Sequence, residues 1–263
     1  MPKEKILSNY IESQETFIKE WYENPKSTWE KSHFFNLKSV NKSISEYINF
    51  LPEPYLGNPF QSTAVFLNYN PGPVIDCLQE RKFGYFFTKN KAAENYQNFA
   101  LNNKYMTDKK GFWGMKRSFI ARLSDIPFEE TSFFALEICP WHSNSFRLDQ
   151  KDLQKSLDYI QNEVLTIAES AAMNSYFKTI FTVGKNFYDV FNMLGFELLK
   201  EISERDEIAN WPKNTNGQKT IRTLSKWRSK TNGVYFNTFS PGSNKISSKE
   251  FDKIILEELN ICK

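Results

Sequence analysis

The stretch Phe66-Leu67-Asn68-Tyr69-Asn70-Pro71-Gly72-Pro73 sets two amides and a phenol against a stiff turn. The run before the amides, Ala64-Val65-Phe66-Leu67, is continuously apolar, as a strand buried on both faces is. It stops at asparagines, which donate and accept hydrogen bonds without titrating. Proline then fixes its own φ, and glycine lets another group approach the backbone closely. The combination reads as a wall for something to lie against. Three further apolar runs end in a similar way. Ser132 to Ile138 carries Glu137 near its end and leads into Cys139-Pro140-Trp141-His142-Ser143-Asn144. Lys178 to Val183 leads into Gly184-Lys185-Asn186, and Val234 to Phe239 into Ser240-Pro241-Gly242-Ser243-Asn244-Lys245. Turn chemistry accounts for each alone. Four together point to a ligand site.

Those residues need a scaffold that brings strand ends to one edge. The runs at 63–68, 132–138, 178–183 and 234–239 are short, apolar and rich in β-branched or aromatic residues. Helical patterns separate them. Leu153, Leu157, Ile160, Val164 and Ile167 recur at steps of four and three behind a candidate N-cap, Asp149. Ser247 and Glu250 form a capping-box pattern before Phe251, Ile254, Ile255 and Leu259. Alternating strands and helices predict one α/β domain, with a four-stranded parallel sheet between helical layers in an α/β/α arrangement. Ligands gather at the carboxyl ends of such strands. Residues 1 to 55 read as an aromatic-rich helical extension ending at Leu51-Pro52-Glu53-Pro54, and 56 to 263 as the main domain.

Composition narrows the class without naming a partner. A chain of 263 residues with 40% hydrophobic and 25% charged content can bury a sizeable core. The net charge of +3 is too small to name a ligand, but its distribution is uneven. From Pro212 to Gly233 there is no acid, against Lys213, Lys219, Arg222, Lys226, Arg228 and Lys230. A second cluster holds Lys104, Lys109, Lys110, Lys116, Arg117 and Arg122, with Asp108 against it. Such segments either neutralise phosphates or form a solvated surface. Cys77, Cys139 and Cys262 stand far apart, which excludes a zinc knuckle and suggests a reducing compartment. The N-terminal residues lack a signal-peptide core and no run is long enough to span a membrane, so a cytoplasmic protein is expected.

The ordered set of strand ends resembles the uracil-DNA glycosylase superfamily, and within it the single-strand-selective monofunctional branch. Leu67-Asn68-Tyr69-Asn70-Pro71-Gly72-Pro73 is similar to that branch's first motif. Gly111-Phe112-Trp113-Gly114-Met115-Lys116-Arg117 followed by Leu136-Glu137-Ile138-Cys139-Pro140-Trp141 is similar to its Phe-Trp-Gly helix and next strand end. Phe239-Ser240-Pro241-Gly242-Ser243-Asn244 resembles the second motif, and Thr182-Val183-Gly184-Lys185-Asn186 the glycine-containing end of the third strand. The likeness spans roughly 60 to 260 in the family's order. It implies DNA as partner, a flipped base, and no metal or other cofactor. It assigns Asn70 to holding the attacking water, the alternative being an ordinary turn residue before Pro-Gly. Pro71, Gly72 and Pro73 become a wall near the base, with Tyr69 beside it. Phe86, within the aromatic run Phe83 to Phe87, becomes the ring stacked on the base or else core packing. Ser240, Pro241, Gly242, Ser243, Asn244 and Lys245 would press on the phosphates.

Two positions depart from the family pattern. Glu137 stands where the family places an asparagine that reads uracil. A carboxylate accepts hydrogen bonds, which suits the exocyclic amine of a cytosine-type base and not uracil O4. A protonated Glu137 would instead donate to cytosine N3, and a third alternative is a structural pair with a lysine or arginine. Thr238 stands where a histidine would stabilise the leaving base, and His142 is the candidate to replace it, unless its role is structural. The expectation is a monofunctional glycosylase acting on a modified cytosine, as a defence enzyme against phage DNA would. The alternatives are a uracil-DNA glycosylase of base-excision repair, a DNA-binding module without activity, and a hydrolase of free nucleosides.

Overall fold

Residues Ala64–Asn68 and Phe133–Glu137 are buried along their whole length, so neither can be an edge or a one-sided strand. The computed structural model, which describes residues 3–72, 89–102, 111–203, 223–230, 233–240 and 249–258, places them side by side at the centre of a sheet. In chain order the strands are β1 (Tyr55–Gly57), β2 (Ala64–Asn68), β3 (Phe133–Glu137), β4 (Thr179–Val183), β5 (Glu197–Ser203), β6 (Thr223–Arg228) and β7 (Tyr235–Ser240). They lie in the order β1-β3-β2-β4-β7-β6-β5. The inner four, β3-β2-β4-β7, are parallel, whereas β1, β6 and β5 pair antiparallel at the flanks. The sheet is therefore mixed, and the four expected parallel strands are its core.

The flanking strands escape a periodicity reading for identifiable reasons. β5 leaves five of its seven residues exposed, and β6 carries Lys226 and Arg228. Ion pairs offset those charges on the outer pair: Arg228 bonds Glu197 directly across β5 and β6. Six residues of an apparently basic surface run, Thr223 to Arg228, are thus a strand.

Helices cover both faces. On one side Val65, Leu67, Phe134, Leu136, Ile180 and Phe236 form a continuous core with α1 (Lys3–Glu23), α2 (Pro25–Lys31), α3 (Lys38–Ser45), α4 (Lys89–Glu94) and α5 (Tyr96–Asn102). Helices α7 (Gln150–Tyr159), α8 (Thr166–Asn174) and α9 (Asn186–Met193) complete that layer. On the other side Phe66, Phe133, Phe181 and Phe239 meet α6 (Gly111–Ser124) and α10 (Lys249–Glu258). The molecule is a single-domain α/β fold with helices on both faces of the sheet.

Asp149 caps α7 as expected, accepting from Asp152 N–H at 2.8 Å. The amphipathic run from Leu153 to Ile167 is not one uniform helix. A π-helical turn, Ile160–Leu165, separates α7 from α8, and the extra residue in it carries Leu165 into the core beside Val164. The N-terminal helices belong to the same core. Trp21 donates its indole N–H to Ile48 O at 2.7 Å, and Phe17 and Trp29 pack edge-on against Trp141 at 5.6 and 5.4 Å. They therefore back the loop that follows β3.

Candidate active site

Parallel pairing sets the first strand end against the second. Asn68 lies opposite Glu137, and the pairing continues past both strands through Ile138 N–H to Asn68 O and Cys139 N–H to Tyr69 O, each at 2.9 Å. Asn70 follows, partly buried, and its Nδ2 donates to Trp141 O at 3.4 Å. Gly72 has φ +81°, a conformation that glycine adopts at little cost and other residues do not. Its carbonyl accepts from Ser143 N–H at 3.2 Å. The Asn-Pro-Gly turn is thereby tied to the loop after β3 at both ends.

His142 makes the third tie. It is fully buried, with Nδ1 3.0 Å from Gly72 O, and Nε2 3.0 Å from Leu51 O and 3.3 Å from Glu53 Oε1. All three neighbours are oxygen atoms, two backbone carbonyls and a carboxylate, so each ring nitrogen faces an acceptor inside the protein. Both nitrogens are occupied behind the turn. His142 therefore acts on the site through the backbone of Gly72.

Tyr69 is packed too. Its ring meets Phe187 edge-on at 4.7 Å and Phe146 at 5.9 Å, and its hydroxyl donates to Asn186 O at 2.8 Å. This links the ends of β2 and β4. Burial, reinforced by Asp189, pushes its phenol above the usual range. Gly184, φ +113°, donates its N–H to Phe239 O at 2.8 Å and joins the end of β4 to that of β7. Thr238 lies within β7, fully buried, and its hydroxyl accepts from Thr182 Oγ1 across the sheet at 2.8 Å. Ser240 closes β7. Phe86, Pro73 and the segment Pro241, Gly242, Ser243, Asn244 and Lys245 lie outside the described residues.

A buried polar chain on the α6 side of the sheet escaped the sequence reading. Lys116, 1% exposed, donates through Nζ to Asn68 Oδ1 at 2.6 Å, and Asn68 Nδ2 donates to Glu137 Oε1 at 3.0 Å. The ammonium lies over three rings, 4.0 Å from the centroid of Phe112, 4.3 Å from Trp113 and 4.7 Å from Phe66. Burial lowers its pKa to about 7, against the pull of the nearby Glu137 carboxylate. The signal for this placement is the helical step: Lys116 stands three residues after Trp113 and four before Ile120, on the apolar stripe of α6.

Of the second basic cluster, the described members do not form a phosphate-binding face. Arg117 is 5% exposed and donates to Phe128 O and Thr131 O, stapling the turn between α6 and β3. Arg122 binds Asp252 at 2.5 Å and joins α6 to α10. In the acid-free run, Lys226 donates to Glu258 O at 2.7 Å and Arg228 pairs with Glu197. Among the described residues, no helix is long and apolar enough to cross a membrane. In comparison with known proteins, no family model, curated protein or solved structure matches this chain.

Proposed function

We propose that the protein is a monofunctional DNA glycosylase that flips a cytosine-derived base and hydrolyses its N-glycosidic bond. The observation that carries the reading is the meeting of Asn70 with the end of β3: its Nδ2 donates to Trp141 O, and Glu137 lies one strand away at the same sheet edge. Held by its nitrogen, the Asn70 amide presents its carbonyl oxygen, the atom that accepts from water. An amide orients water and is too weak a base to deprotonate it. That suits a reaction in which departure of the base leads and water adds to an oxocarbenium-like sugar. Glu137 accepts from the exocyclic amine of the base, and the Pro71-Gly72 turn forms the wall beside it.

A second reading, a DNA-binding module of the same architecture that does not cleave, is favoured by Thr238 and His142. Both are fully buried with their polar side-chain atoms engaged inside the protein. One assay separates the two. Oligonucleotides carrying uracil, mismatched thymine or 5-substituted cytosines, glycosylated ones included, are incubated with protein and cleaved with alkali. The enzyme gives strand breaks that Asn70→Ala abolishes. The module gives tight binding and no breaks, and faster cleavage of uracil than of every cytosine derivative removes the assignment of the base.

A further inference from the structure

Lysine has three donors and no acceptor while it carries its proton. An oxygen 2.6 Å from the Lys116 Nζ is therefore an acceptor, which fixes the Asn68 amide with Oδ1 toward the lysine and Nδ2 toward Glu137. The glutamate atom that faces Nδ2 must then accept. Each link is forced by the one before it, and the chain runs in one direction: Lys116 to Asn68 to Glu137. All three side chains are at least nine-tenths buried, at 1%, 7% and 8% exposure, so no bulk water can reverse the order. The three aromatic faces around Nζ hold the ammonium in place and offer no competing acceptor with a lone pair.

We infer that Lys116 is a positioning residue that sets the polarity of the Asn68 amide, holds Glu137 as a hydrogen-bond acceptor, and so makes the site select bases with an exocyclic amine over bases with a carbonyl at the same ring position. This rests on the glycosylase reading and deepens it by naming what chooses the base. Reversal of the chain needs a proton on Glu137 and a flipped amide; Glu137 would then donate, and the preference would invert. While it carries its proton, Lys116 at the far end opposes that reversal by charge and by its lack of an acceptor.

The test compares duplexes carrying 5-hydroxymethyl-2′-deoxycytidine and 5-hydroxymethyl-2′-deoxyuridine, which differ only at ring position 4 and in the proton on the adjacent N3. Wild-type protein favours the amine-bearing base in kcat/KM by about tenfold or more, the discrimination of one well-formed base contact. Lys116→Met keeps the length and apolar stem, removes the buried charge, and brings the ratio close to one. Glu137→Gln inverts it. A readout independent of DNA is the side-chain amide pair of Asn68 in nitrogen–proton NMR spectra, assigned with Asn68→Ala. In wild type both protons are resolved and exchange slowly with water, and in Lys116→Met they broaden. An unchanged Asn68 signal in Lys116→Met overturns the positioning role. A changed signal with an unchanged base ratio overturns the link to selection. A wild-type protein that neither binds nor cleaves either duplex sinks the glycosylase reading and the selection claim, while the amide signal still decides what Lys116 orients.

Discussion

Lys116 is a side chain whose chemistry is strongly altered by its surroundings. Its pKa falls from 10.5 to about 7 because burial removes the water that stabilises the ammonium, and Glu137 restores part of the loss. Between those values the unfolded chain binds a proton that the folded chain does not, so stability rises with pH across the window. Below pH 7 both states are protonated and the burial penalty is constant. We expect the unfolding free energy of the wild type, measured relative to Lys116→Met by urea denaturation from pH 7 to 9, to climb by up to about 1 kcal/mol per pH unit. A flat difference contradicts the shift. Legibility varied residue by residue. Asn70 and Glu137 were visible because a polar group that ends an apolar run is conspicuous. Lys116 was not, since charge argues for solvent and only the helical step argues against it. His142 and Thr238 were visible as residue types, but whether a ring nitrogen or hydroxyl is occupied depends on residues far away, such as Leu51 and Thr182.

At the scale of elements, the N-terminal helices are held by specific contacts as well as by apolar packing. Asp152 in α7, 2% exposed, accepts from Ser39 N–H and Ser39 Oγ at 2.8 Å each, and from Lys155 Nζ at 2.9 Å. Ser39 lies in the first turn of α3, where backbone N–H groups lack helical partners, so the carboxylate caps α3 from another element. Burial works to raise the Asp152 pKa, and the hydrogen bonds from Ser39 and Lys155 outweigh it and hold the carboxyl below its ordinary 3.8. The contribution is therefore present above that range and lost as pH falls through the lowered value. Asp152→Ala should cost roughly 2–3 kcal/mol in urea denaturation at neutral pH, and Asp152→Asn less, because the amide keeps one acceptor. Equal stability of all three proteins would show that α3 is held by packing alone. The central strands and the Asp149 cap were legible because each is a local pattern. The π-helical turn and β5 were not, since one is a single-residue slip and the other is an exposed edge.

For the whole molecule, the consequence is cooperativity. Leu7, Ile11, Ile18 and Trp21 share a core with Phe134 and Leu136, and the loop after β3 rests on Phe17 and Trp29. Removing the helices would uncover the first face of the sheet and unlock the His142 loop. Tryptophan fluorescence, to which all six tryptophans contribute, Trp21, Trp29 and Trp141 among them, and far-ultraviolet circular dichroism should trace one coincident urea transition. An earlier fluorescence transition would mean that the N-terminal helices melt independently. By itself the sequence determined the class of fold and the edge where polar groups collect, because binary pattern and turn chemistry act over a few residues and survive without partners. Tertiary structure alone decided which polar groups are engaged and in which direction they bond. Lys116, Asn68 and Glu137 come from three elements separated by up to 69 residues, and donor and acceptor roles exist only once their atoms meet out of water.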